Sequence, residues 1–145
     1  MLDTIDRLDA FIHDFETCQL TRARWTHHAH LTVGFWYLLH HSPADAMNRV
    51  RVGITALNET MGVGNTDTSG YHETITRAYL SGIHFFIERH AARPPVEALT
   101  LLLATPLASS EWLLKHYSRD RLFSVQARKA WVEPDLLPMP GNAQF

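Results

Sequence analysis

The stretch that decides the fold is Thr26-His27-His28-Ala29-His30-Leu31-Thr32-Val33-Gly34-Phe35-Trp36-Tyr37-Leu38-Leu39-His40-His41. Thr26 is a good N-cap, because its hydroxyl can accept from a free N–H of a first helical turn. A helix is therefore expected from Thr26 to about His41. Between Ala29 and Leu39 it carries Leu31, Val33, Phe35, Trp36 and Leu38, and no charged residue. These side chains cover more than one face. A helix that is apolar nearly all round belongs inside a bundle, so this one is expected to be central. Gly34 in its middle costs about 1 kcal/mol relative to Ala, which suggests that another backbone approaches there.

Helical spacing continues on both sides. Upstream, Ile5, Leu8, Ile12 and Phe15 mark a first helix from about Leu2 to Thr17, followed by a polar connection to Trp25. Downstream, Ser42-Pro43 is a helix start, with Ser42 as cap and Pro43 in the first turn. Met47, Val50, Ile54, Leu57 and Met61 give the stripe of that third helix. A fourth runs from about Tyr71 to His90, burying Ile75, Tyr79, Gly82 or Ile83, and Phe86. Shorter helices follow over Val96 to Ala104, from Ser109 or Ser110 through Trp112 to Tyr117, and around Ala127 and Trp131. Pro106 breaks the chain between the first two of these. The Pro-rich end, Glu133 to Gly141, reads as an extended tail lying across the bundle. No alternating run suggests a strand. The expectation is an all-α single domain over residues 1–145, a bundle of about six or seven helices.

Composition agrees and narrows the function classes. The 145 residues are 46% hydrophobic and 19% charged, with a formal net charge of −2. That is globular and not basic, which argues against a general nucleic-acid binder. One cysteine, Cys18, allows neither an internal disulfide nor a thiolate metal cluster. No apolar stretch reaches the length of a membrane span. The first residues have no signal-peptide pattern, so the expected location is cytoplasmic.

Ten histidines are an unusual number for this length, and their spacing concentrates the chemistry. His27 and His30 stand three apart on one helical turn, on the face that continues through Gly34 and Leu38. His72, in Gly70-Tyr71-His72-Glu73-Thr74, falls on the buried stripe of the fourth helix. If the second and fourth helices run parallel, their N-terminal ends meet and three imidazoles converge. Three neutral imidazoles suit a divalent transition metal such as Zn, Fe or Ni, with open positions for water or substrate. Glu73 is then the candidate general base, or an acidic residue favouring the helix N-terminus. Arg51, Asn58 and Arg128 are candidate substrate-binding residues, the arginines as clamps for a carboxylate or phosphate. Arg128 has an alternative, a pairing with Asp135 that holds the tail down. The loop Gly62 to Gly70 has glycines but no following Lys, so it is no P-loop. It is expected to border the site and to move on ligand binding.

The groups Trp25-Thr26-His27, Ala29-His30-Leu31, Gly70-Tyr71-His72-Glu73-Thr74, Ser124 with Ala127-Arg128, and Pro134-Asp135-Leu136 resemble a family of small uncharacterised bacterial helical proteins. The resemblance spans nearly the whole chain. It implies that His27, His30, His72, Glu73, Arg128 and Asp135 match the family pattern, and it brings no reaction with it. In architecture alone, a bundle with converging histidines is similar to the DinB-like metal-binding bundles.

Two function classes follow. The first is a metal-dependent enzyme acting on a small molecule by hydrolysis or oxidation at a His-rich mononuclear site. The second is a non-catalytic helical module that holds a small ligand or haem, or a structural interaction protein. In either case the expected partner is a small molecule and not nucleic acid or membrane, and a homodimer stays open.

Overall fold

The computed structural model describes residues 2–145 and contains, among them, seven α-helices and no strand. They are α1 (Ile5–Glu16), α2 (His27–His40), α3 (Pro43–Thr60), α4 (Glu73–Arg89), α5 (Pro95–Leu102), α6 (Arg119–Leu122) and α7 (Val125–Lys129). Two 3-10 turns, Pro106–Ala108 and Trp112–Lys115, lie between α5 and α6. The expected helix from Ser109 or Ser110 to Tyr117 is thus a 3-10 turn at its centre, and the expected last helix is two short ones that end before Trp131.

Local chemistry explains the starts. Thr26 Oγ1 accepts from Ala29 N at 3.2 Å, and Ser42 Oγ from Asp45 N at 3.3 Å. Each cap satisfies an N–H that has no partner inside the helix.

One hydrophobic cluster draws on all seven helices. Helix α2 packs against α4, α3 and α1, which makes it central, as its all-round apolar character requires. Phe35 and Val33 are fully buried, while Leu39 reaches solvent at the end of the helix. Gly34 does serve a close approach, but to side chains. A Cβ there would stand 2.8 Å from Leu80 Cδ2 and 3.0 Å from Ile83 Cδ1 of α4. Gly53 on α3 does the same for the buried Phe15 ring of α1. In α1 the buried stripe is Leu8, Phe11, Ile12 and Phe15, and Ile5 is exposed.

The C-terminal segment is strapped to the bundle, as expected of the tail. Leu136 N donates to His116 O at 2.9 Å, and Gly141 rests against Phe85. None of the helices of the described residues is long and apolar enough to cross a membrane.

Candidate functional site

A cleft opens between α2, α3 and α4. Its inner cavity, about 260 Å³, is lined by Leu31, Val50, Ile54, Ile75, Leu80 and Ile83, together with His27, His30, Thr76 and Tyr79. It adjoins a second chamber of about 360 Å³ toward the N-terminus of α4, where His30, Ile54, Ile75 and Thr76 are shared with Trp25, Asn58, Tyr71, His72 and Arg128. An aliphatic body with few polar groups is the usual make-up of a small-molecule site.

His27 and His30 both reach this cleft. The Nε2–H of His27 donates to Leu107 O at 2.9 Å. The Nδ1–H of His30 donates to Thr26 O at 2.8 Å. A carbonyl oxygen can only accept, so these bonds fix the tautomer of each neutral ring. The other nitrogen of each ring, Nδ1 of His27 and Nε2 of His30, is a bare acceptor with no partner among the described residues. His30 also stacks on Trp25 at 3.8 Å, and His27 meets the Tyr79 ring at 4.9 Å. Surrounding protein strips water from the His30 ring and pushes its pKa down to about 4, with His27 adding to the shift and the Thr26 bond opposing it. His30 still presents an exposed edge at the cleft wall. The lowered pKa makes it a neutral acceptor near pH 7.

His72 has a different task. It is the N-cap of α4: its Nδ1 accepts from Ile75 N at 3.1 Å. Its Nε2–H donates to Leu122 O at 2.7 Å. Both ring nitrogens are used, so none is left for a metal ion. Burial, with the nearby Arg128 charge adding to it, holds its pKa below the ordinary value, against the pull of the Leu122 bond. Among the described residues no group of three His, Cys, Asp or Glu side chains is arranged to hold a metal ion. The expected His27, His30 and His72 ligand set does not assemble. The reason is register. His27 lies level with Tyr79, seven residues beyond His72, or about 10 Å along an α-helix. The helices run in the same sense, since His27 meets Tyr79 and Gly34 meets Leu80 and Ile83, but their N-termini are not level.

Glu73 and Arg51 are committed to each other. Arg51 Nε donates to Oε1 at 2.9 Å and Nη2 to Oε2 at 2.8 Å, while Arg51 Nη1 donates to Asn48 Oδ1 at 2.7 Å. Tyr71 OH donates to Glu73 Oε1 at 2.6 Å. Burial alone would raise the Glu73 pKa, but the bonds from Arg51 and Tyr71 outweigh it and hold the carboxyl below its usual range. A carboxylate so stabilised is a poor proton acceptor. The geometry gives this pair the work of tying α3 to the start of α4, in place of the general base and substrate clamp expected from the sequence.

Asn58 borders the outer chamber but serves the loop. Its Nδ2 donates to Asn65 Oδ1 at 3.0 Å, and the same oxygen accepts from Tyr71 N at 3.0 Å. Asn65 Nδ2 in turn donates to Thr55 O at 3.2 Å. Thr66 and Ser69 close the loop on itself. Gly70, at φ +78°, packs so tightly on Gly64 O and Asn65 that no Cβ fits. The loop borders the cleft as expected, and this wiring makes it a tied wall.

Arg128 does not pair with Asp135. Its Nη1 donates to Gly70 O at 2.8 Å and Tyr71 O at 3.3 Å. Asp135 Oδ1 instead accepts from Ser118 N at 2.8 Å. Tyr79 is buried, as its place on the stripe of α4 requires, and it also lines the cleft beside Thr76, which the sequence analysis does not single out. The spacing of His72, Thr76, Tyr79 and Ile83 along one face of α4 was the available signal.

Comparison with family models, with curated proteins and with solved structures finds no match to this chain.

Proposed function

We propose that this chain is a helical module that binds a small, mostly apolar molecule in the cleft between α2, α3 and α4. The observation that carries this reading is a pair of imidazoles, each with one unused ring nitrogen, on the wall of a mostly aliphatic cavity. An apolar cavity of about 150 Å³ takes one benzene. The inner cavity here is larger, about 260 Å³, and lies beside a second chamber. It gives room for a fused pair of rings, and the neighbouring chamber for one ring more. The imidazoles ask for a hydrogen-bond donor on that ligand, a hydroxyl or an N–H. Of the function classes left open by the sequence, binding is favoured over metal-dependent catalysis: Glu73 is locked to Arg51, and His72 has no free nitrogen.

The test uses N-phenyl-1-naphthylamine, a neutral aromatic amine with one N–H whose fluorescence rises in apolar surroundings. Saturable binding is expected. Ile75→Trp, at a side chain that lines both chambers, should abolish it without unfolding the protein. His30→Ala should weaken it roughly fivefold, the worth of one net hydrogen bond. No saturable signal, or a signal unchanged in Ile75→Trp, refutes the reading. One equivalent of tightly held transition metal in untagged protein, lost in His27→Ala and His30→Ala, would put the metal-dependent class in its place.

A further inference from the structure

Arg128 is the one charged side chain on the wall of the outer chamber. Only its Nη1 is used, on the carbonyls of Gly70 and Tyr71. Among the described residues its Nε and Nη2 donate to no protein acceptor, and no carboxylate lies within 4.0 Å of its guanidinium. Its side chain is half-buried. On its outer side Arg128 also borders a recess that Glu73 and Asp67 line, but both are engaged elsewhere. Glu73 is held by Arg51 and Tyr71, and Asp67 stands 3.4 Å from Lys129 Nζ. The unused N–H groups of Arg128 are not buried and stay open to an anionic group of a ligand. The fold itself supplies no anion for that edge of the guanidinium.

The chamber adjoins the aliphatic cavity, and His30, Ile54, Ile75 and Thr76 line both. A molecule with its body among Leu31, Val50 and Leu80 would therefore extend its polar end toward Arg128. A planar guanidinium with free N–H groups matches the two coplanar oxygens of a carboxylate.

We infer that Arg128 is an anion subsite of the cleft, and that the ligand is an amphiphilic carboxylate: an apolar ring or short chain bearing one carboxyl group. The inference rests on the cleft being a ligand site. The Gly70 and Tyr71 contacts hold the guanidinium in place from one side and leave its other edge for the ligand.

The experiment compares 4-phenylbutanoate with 4-phenyl-1-butanol by titration calorimetry on the full chain. The two share a carbon skeleton and differ in charge. The carboxylate should bind at least about tenfold more tightly, as a charge-assisted bond predicts. Arg128→Gln should bring the two affinities within about twofold of each other, and Arg128→Lys should keep part of the difference. In the unmodified protein, the Arg128 Nε–H resonance should shift with the carboxylate and not with the alcohol, a readout that needs no variant. The inference is overturned if the carboxylate binds no more tightly than the alcohol, or if Arg128→Gln preserves the difference. If neither compound binds while N-phenyl-1-naphthylamine does, the carboxylate class is wrong and the cleft remains a binding site. If all three fail to bind, both readings fall.

Discussion

Replacing His72 by Ala separates a structural cap from a metal ligand. The change removes the acceptor for Ile75 N, a cap loss worth about 1 kcal/mol. It also leaves the buried Leu122 carbonyl without its donor, which costs about 1–3 kcal/mol. The expected destabilisation is about 2–4 kcal/mol. For 145 residues, an unfolding entropy of about 2.1 cal/mol/K per residue comes to about 0.3 kcal/mol/K. The midpoint should therefore fall by about 7–13 °C. His72→Asn keeps a capping acceptor but is too short to hold the Leu122 bond, so it should recover roughly half of the loss. Thermal unfolding followed in the far-UV gives the midpoints, and elemental analysis of the same samples gives metal content. A drop of less than about 2 °C for His72→Ala would refute the cap argument. So would loss of bound metal from a variant that keeps the original midpoint.

Two further outcomes are expected. Because His72 and His30 titrate below the ordinary 6.5 in the folded chain, the unfolded state binds more protons just below that pH, and stability should fall on acidification from pH 7 toward pH 5. Denaturant midpoints measured across that range check this, and a midpoint that rises on acidification would contradict it. Glu73→Gln should lower stability by about 1–2 kcal/mol, between the values for exposed and buried ion pairs, and leave N-phenyl-1-naphthylamine binding unchanged; a loss of binding in a variant as stable as the parent would return Glu73 to the site.

Features set by neighbours in the chain were legible in the sequence by itself. Thr26 and Ser42 cap helices through partners three residues away. The apolar run from Ala29 to Leu39 needs burial on several sides wherever the helix is placed, which made α2 central and the fold all-α. His27 and His30 share a face because a helix repeats every 3.6 residues. The tertiary structure decided everything that depends on how one helix lies against another. His72 lost its expected place in a ligand set because α2 meets α4 two turns above His72. Its own proton goes to a carbonyl fifty residues away, at Leu122. The tautomer of His27 is fixed by Leu107, eighty residues away, in a 3-10 turn. Arg51 and Glu73, 22 residues apart, found each other across α3 and α4, while Arg128 and Asp135 did not pair. Periodicity reports which face of a helix is buried, but not the height at which two buried faces meet. That height is set by the fit of side chains such as Leu80 and Ile83 against Gly34, and it determines which polar groups share one cavity.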